Sequence, residues 1–457
     1  MEENLRSLIL AAGKGTRMKS RKAKVLHKAG GRTLLEHVVR AARSVTPDVC
    51  IVVGYQADKV KESMSGASFV EQKEQLGTGH AATVARDSFT GFKGDLLVLP
   101  GDVTLIRSST LEAFVKFHRA GRYRASVLTA DVPDPAGYGR IVRRNDNEID
   151  SIVEHRDASP EILQINEINS GIYLFSSAVL FEALAKIRNK NAQSEYYITD
   201  VIGIMASQGL KVAAWKAPDP AEIAGINTRQ ELAAVDCIMR RRKCESLMAE
   251  GVTIVDPDST FIDDDVQIGM DSVIYPSVQI YGTSFIGEEA TIHSYTRISN
   301  SRIGSRVTVL EGCVIADSSV GEDTSVGPFA HLRMGAAVGD GNKIGNFVEI
   351  KKSSLGDGTK AQHLAYLGDA TIGKDVNIGA GVITCNFDGH QKHPTFIEDG
   401  AFIGTDSQLI APVRIGKGAY VAAGSSITHD VPADALAITR GRQSTKEGWA
   451  RERKKKK

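Results

Sequence analysis

The sequence predicts two folds in series, an α/β domain with a parallel sheet and then a parallel β-helix. Three observations carry that reading. Short apolar runs alternate with helical stripes over the first half. Aliphatic residues recur at every sixth position over most of the second. Glycine is uneven, with 18 in the first 250 residues and 24 in the 180 residues at 251–430.

Residues 6–10 (RSLIL) read as a strand that breaks into the glycine loop AAGKG. Residues 33–44 carry apolar side chains at 34, 35, 38, 39 and 42, the stripe of an amphipathic helix. Val49–Val53 (VCIVV) reads as a buried strand, 78–87 as a helix and 95–99 (DLLVL) as another strand. Continuous apolar strands alternating with helices indicate a parallel sheet covered on both faces. Ligands of such sheets bind beyond the carboxyl ends of the strands, which directs attention to the loops after Leu10 and Leu99.

In the second half the series runs Ile262, Ile268, Ile274, Ile280, Ile286, Ile292, Ile298. It slips by one residue to Ile303, slips again to Val320 and to Leu355, and returns after an insertion at Ile397. A period of six fits neither an amphipathic helix nor an alternating strand. It fits a hexapeptide β-helix with three flat sides, about nine coils over about 165 residues. The glycine excess is expected to serve the turns between sides. Taken alone, such a rod serves either as a site or only as an oligomerisation module.

Residues 228–250 lack Pro and Gly and read as a connecting helix. The predicted boundaries are therefore 1–227, 228–250 and 251–457. After Val431 a coil-like tail is expected, ending in the solvated basic run RERKKKK. Lys plus Arg is 56 and Asp plus Glu 55, a net charge of +1 that argues against a nucleic-acid binder. No run approaches 18 apolar residues, so no membrane association is expected. The five scattered cysteines (Cys50, Cys237, Cys244, Cys313, Cys385) suit a reducing cytoplasm and exclude a disulfide scaffold.

The loop after the first strand lacks the third glycine of a dinucleotide fingerprint and the GK[ST] of a P-loop. Its small residues still let backbone N–H groups approach phosphates, with Lys14, Arg17 and Lys24 adding charge. Asp102, at a strand tip opposite that loop, reads either as a Mg²⁺ ligand or as a turn-forming residue.

LAAGKGTRM (10–18), KVLH (24–27), QLGTGHA (75–81), GD (101–102), GYGRI (137–141), IVEH (152–155), NSGIY (169–173) and EYYITD (195–200) together resemble the sugar-nucleotide pyrophosphorylases. With the hexapeptide half attached, the chain resembles the bacterial bifunctional enzymes that join N-acetylglucosamine-1-phosphate uridyltransferase to glucosamine-1-phosphate N-acetyltransferase. The resemblance spans nearly the whole chain. It implies an α/β Rossmann-like nucleotidyltransferase domain followed by a left-handed parallel β-helix (hexapeptide repeat) domain.

By that resemblance Leu10, Ala11, Ala12, Gly13, Lys24, Gln72, Gly77 and Thr78 would hold the uridine nucleotide of UTP. Gly139, Glu154 and Asn169 would hold the N-acetylglucosamine moiety. Asp102 and Asn227 would ligate Mg²⁺, with Lys24 and Arg17 neutralising phosphate charge. A sugar 1-phosphate is already a nucleophile, so the protein needs alignment and charge neutralisation rather than a base.

The coils at 332–386 carry many polar and basic side chains. Acyl transfer to an amine needs a base, and histidine has a suitable pKa. The resemblance makes His363 that base, puts Arg333 and Lys351 on the sugar phosphate, and Tyr366 and Asn377 on the sugar. Ala380, Asn386, Phe387, Thr405, Ala423 and Arg440 would lie along acetyl-CoA. It further implies a homotrimer acting on glucosamine 1-phosphate and N-acetylglucosamine 1-phosphate. The sequence departs from the family pattern at Ala23 (commonly Pro), Pro100 (often aromatic), Phe387 (Tyr) and Thr405 (Ser). A monofunctional pyrophosphorylase with a merely oligomerising β-helix, and a non-catalytic regulatory subunit, are the competing readings. His363, Lys351 and Arg333 count against the first, and Asp102, Lys24 and Asn227 against the second.

Overall fold

The computed structural model describes residues 4–454, in two compact units that divide between Met239 and Arg240. The first unit contains a nine-stranded sheet. Its main path is Val212–Lys216, Ala125–Asp131, Glu167–Ser176, Asp95–Pro100, Leu5–Ala11, Val49–Val53, Ser68–Glu71. Arg140–Arg143 and Ile149–Val153 attach off that path. Strand alternation divides the apolar residues between two cores. Leu5, Ile9, Val53, Leu97 and Leu99 enter one, while Leu8, Val52, Leu96 and Val98 enter the other.

The sheet is mixed, not parallel as expected. Glu167–Ser176 runs antiparallel to both Asp95–Pro100 and Ala125–Asp131. Continuous hydrophobicity reports burial on two faces and says nothing of strand direction. The helix Leu34–Arg43 starts at a capping box, in which Thr33 and Glu36 each accept from the other's backbone N–H. The helix expected over 78–87 is shorter, Thr78–Val84, and gives way to a 3₁₀ turn at Arg86–Phe89. Asp87 and Ser88 favour that turn.

Residues 228–250, expected to be helical, form the helix Arg229–Ala249, and the division between the two units falls within it. In the second unit, three parallel sheets of 11, 10 and 9 strands form the left-handed β-helix. Phe261 pairs with Gln279, 18 residues on, whereas Phe285 pairs with Arg302, 17 on. The slips in the hexad series are thus corners shortened by one residue. Ala370 pairs with Thr395, 25 on, because an insertion follows Cys385. The expectation of about nine coils falls short: Thr253–Ile254 precedes the hexad series and Leu436–Ala437 extends beyond it.

The glycine expectation holds in part: Gly282, Gly312, Gly341, Gly358 and Gly418 take positive-φ turn positions, whereas a second set serves close packing. Gly269, Gly287, Gly304, Gly321, Gly339, Gly356 and Gly373 form one column, and none has positive φ. A Cβ on Gly287 would lie 2.5 Å from the Ser305 nitrogen, and one on Gly304 2.8 Å from the Glu322 nitrogen. Close approach of successive coils demands these glycines. Asp271, Asn300, Asp317 and Asp323 take further left-handed turn positions beside the glycines, being the non-glycine types most tolerant of them.

The tail is not wholly coil. Leu436–Ala437 pairs with Tyr420–Val421, and Trp449–Lys454 forms a short exposed helix. Residues 455–457 of the basic run lie outside the described residues. Among the described residues, no helix is long and apolar enough to cross a membrane.

Candidate functional site

A cavity of about 460 Å³ opens where the central strands of the first sheet end. Leu10, Ala11, Ala12, Gly13, Lys24, Gln72, Gly77, Thr78, Asp102, Glu154 and Asn169 all line it. Gly15 has φ 62°, and a Cβ there would come within 2.6 Å of the Lys24 Cβ. The loop therefore leaves room for Lys24 to rise beneath it. The Lys24 ammonium bonds the Asp102 carboxylate at 2.5 Å and the Asn227 amide oxygen at 3.2 Å. Arg17 donates to the same Asn227 oxygen at 2.9 Å. Two oxygens and two cations thus meet in one cluster, of which Lys24 and Asp102 line the cavity while Arg17 and Asn227 stand behind them.

Gly77, at φ 109°, is packed so that a Cβ would fall 2.5 Å from the Tyr196 carbonyl oxygen. Gln72 is buried and donates to the Gly77 carbonyl oxygen. Gly139 converges with Glu154 and Asn169, which line the cavity, although Gly139 itself does not. A Cβ on Gly139 would stand 3.6 Å from Glu154 Oε2 and 3.5 Å from the Asn169 Cβ. The register of Glu167–Ser176 shifts between Asn169 and Tyr173, and the Asn169 amide donates to the Tyr173 hydroxyl at 2.8 Å. Burial pushes the Glu154 carboxyl above its ordinary value, and Asp157, Asp200 and Glu195 push the same way. A half-buried carboxylate with an unfilled oxygen recognises hydroxyl donors.

The second cluster lies on the β-helix. His363 Nδ1 is 2.9 Å from the Asn346 side-chain oxygen one coil earlier. Donation from Nδ1–H to that oxygen leaves Nε2 with its lone pair, the tautomer a base requires. Lys351, buried at 3% exposure, meets the Asp369 carboxylate at 2.7 Å. Burial opposes its charge, and the Asp369 bond overrides this, so the ammonium titrates above the ordinary lysine value. Arg333 and Lys351 are in register on adjacent coils, and Glu349 anchors Arg333 at 2.7 Å. Tyr366 stacks one coil beyond Glu349, and Asn377 stands on the neighbouring sheet beside Lys360.

Backbone bonds string other candidates along one corner. Gly381 N donates to His363 O, Asp406 N to Ala380 O and Gly424 N to Thr405 O. Arg440 donates to Ala423 O at 2.8 Å. His363, Ala380, Thr405 and Ala423 therefore occupy successive rungs of one ladder. Asn386, read from the sequence as part of the acetyl-CoA pocket, donates to Asp369 at 2.5 Å and to Tyr366 at 3.4 Å. Phe387 is exposed on the insertion that follows, bridged to Lys392.

Sequence reasoning missed Thr199 and Tyr173 in the first cavity, and Asn346, Glu349 and Asp369 in the second cluster. The β-helix partners were findable by adding one coil length. Position 363 less 17 gives Asn346, and 351 plus 18 gives Asp369.

Residues 6–219 match the nucleotidyl transferase family, and residues 394–429 match the bacterial transferase hexapeptide (six repeats) family. The bifunctional protein GlmU of Koribacter versatilis (strain Ellin345) is 50% identical over 460 residues, covering 98% of each chain. That of Shouchella clausii (strain KSM-K16) is 47% identical, over 97% of this chain and 98% of its own. A solved UDP-glucose pyrophosphorylase complexed with UDP-glucose aligns with 52% of this chain and 99% of its own, at 18% identity and a TM-score of 0.44.

Proposed function

Since the chain belongs to the family of bifunctional GlmU proteins, we propose a division of labour between its two clusters of residues. The chain is a bifunctional enzyme: it N-acetylates glucosamine 1-phosphate with acetyl-CoA, then transfers a uridylyl group from UTP to N-acetylglucosamine 1-phosphate, releasing pyrophosphate.

The second unit would carry acetylation. Arg333 and Lys351 would hold the sugar phosphate, Tyr366 and Asn377 the sugar, and Asn386 would steady both Tyr366 and Asp369. Nε2 of His363 would take the proton as the amine attacks the thioester carbonyl and the thiolate departs. Ala380, Thr405, Ala423, Phe387 and Arg440 would lie along the acyl carrier. The pairing of His363 with Asn346 is the observation that carries this assignment, because it fixes the required tautomer.

In the first unit Leu10–Gly13, Gln72, Gly77 and Thr78 would hold the nucleotide, with Gly139, Glu154 and Asn169 on the sugar. The phosphate oxygen of the sugar attacks the α-phosphorus in line with the pyrophosphate leaving group, and Lys24 and Arg17 balance the growing charge. Asp102 and Asn227 fit Mg²⁺, because their oxygens already converge on a cation, the Lys24 ammonium. Bound there, Mg²⁺ supplies electrostatic stabilisation of the phosphates.

A homotrimer is part of this proposal. The exposed side chains of Phe329, Phe347 and Leu364 support it, since they share the corner of His363 and the two rings stack at 5.5 Å. Five free cysteines support a cytoplasmic setting. The test supplies glucosamine 1-phosphate, acetyl-CoA, UTP and Mg²⁺. Formation of UDP-N-acetylglucosamine is expected from the parent. His363→Ala is expected to lose only acetylation and Asp102→Ala only uridylyl transfer. Loss of both activities in either folded variant would overturn the two-site assignment.

A further inference from the structure

Glu154 depends on a second group for its orientation. Its Oε1 accepts from the Thr199 hydroxyl at 3.1 Å, while Oε2 faces the gap beside Gly139 and Asn169. Thr199 is itself 3% exposed and follows a segment fastened to the loop at 76–79. Tyr196 N donates to Leu76 O at 2.8 Å, and Gly79 N donates to Tyr196 O at 2.8 Å. Ile198 N donates to the Thr78 hydroxyl at 3.1 Å. Gly77 and Gly79 are packed against Tyr196 so tightly that a Cβ on either would lie within 3.0 Å of its carbonyl oxygen. The Thr199 hydroxyl is therefore a fixed point, held by the same loop that lines the nucleotide end of the cavity.

We propose that Thr199 is a positioning residue for sugar recognition: its hydroxyl occupies one carboxylate oxygen of Glu154 and so presents the other to the hydroxyls of the N-acetylglucosamine moiety. This rests on the assignment of Glu154 to the sugar. Without the bond, the carboxylate is free to rotate about its last torsion, which has a broad, shallow profile. It also loses the one hydrogen bond that favours its ionised form against burial and against Asp157, Asp200 and Glu195. Tyr173 and Tyr197 are further titratable groups near it; burial first, and then nearby negative charge, Glu154 included, hold both phenols above their ordinary value. A hydrogen bond to an ionised group commonly contributes about tenfold or more in affinity.

The experiment compares Thr199→Val, which keeps the shape, with Thr199→Ser, which keeps the hydroxyl. Uridylyl transfer is followed by pyrophosphate release over a range of pH. Thr199→Val is expected to raise KM for N-acetylglucosamine 1-phosphate about tenfold while KM for UTP stays within twofold. The acid limb of 1/KM for the sugar phosphate is expected to move to higher pH, and Thr199→Ser to restore both. An unchanged sugar KM in Thr199→Val overturns the proposal. So do equal losses in Val and Ser, which would make the methyl group the important part, and a UTP KM that rises in parallel. A parent enzyme that releases no pyrophosphate with this sugar phosphate would instead sink the functional reading beneath it.

Discussion

Asp369→Asn is expected to destabilise the repeat unit and weaken glucosamine 1-phosphate binding together. Lys351 is 3% exposed, and its ammonium meets the Asp369 carboxylate at 2.7 Å. At that distance two unit charges attract by about 6 kcal/mol at an effective dielectric constant of about 20. Desolvation of both ions offsets much of this. The relevant figure is the cost of leaving one charge buried alone, about 3–5 kcal/mol. In a domain of about 200 residues that lowers Tm by about 6–20 °C. The double variant Lys351→Met, Asp369→Leu buries no charge and is expected to regain most of that stability without regaining acetylation. Thermal and urea denaturation followed by circular dichroism, alongside release of free CoA thiol, read the two effects separately. A single variant as stable as the parent, or a double variant as unstable as the single, refutes the reasoning. Lys351 titrates above its ordinary value; Asp369, where burial is outweighed by the bonds from Lys351 and Asn386, titrates below its own. The pair's contribution is therefore complete between about pH 4 and pH 10, the unfolded values. It is lost in acid through the depressed Asp369 value and in alkali through the raised Lys351 value.

Three further outcomes are expected. Glu154→Gln should raise Tm at neutral pH while weakening sugar phosphate binding, because burial raises the Glu154 pKa and its ionised form therefore opposes folding as pH rises past the unfolded value; an unchanged Tm–pH profile would count against this. Gly304→Ala should cost about 1–3 kcal/mol or more, since its Cβ would stand 2.8 Å from the Glu322 nitrogen of the next coil; a urea midpoint equal to the parent's would exclude the packing argument. Asn342→Thr should stabilise by about 1 kcal/mol. The Asn342 side chain is buried with both polar atoms unpaired, whereas Thr324 and Thr359 on the flanking coils bond across to the next coil. A lower urea midpoint would refute that expectation.

The β-helix was legible because each flat side makes the same demand on the sequence. Every aliphatic residue from Ile262 to Ile427 in the hexad series is buried, including the substitutes Ala361 and Val421. The slips at Ile303 and Val320 were visible too, as corners one residue shorter. In the α/β half, Val49–Val53 was legible from apolar continuity, but the antiparallel direction of Glu167–Ser176 was not. Direction is set by how the chain returns to the sheet, which local pattern does not encode. Lys24 and Asp102 were legible from the glycine loop and the strand tip opposite it, but Asn227, 203 positions from Lys24, came from family resemblance alone. Thr199 left no local signal, for a lone threonine before an aspartate is common in any helix start.

The ladder from His363 to Ala423 amounts to a ruler. Each rung is one coil, so its divisions are the spacing of hydrogen-bonded strands, about 4.8 Å, and three divisions span about 14 Å. A long, thin acyl carrier laid along such an edge has its length read out in whole coils. Adding or removing one complete coil between Ala380 and Ala423 would keep every hydrophobic contact in phase. It would nevertheless move Arg440 one division along the scale, so that the fold accepts the change while the fit of the carrier does not.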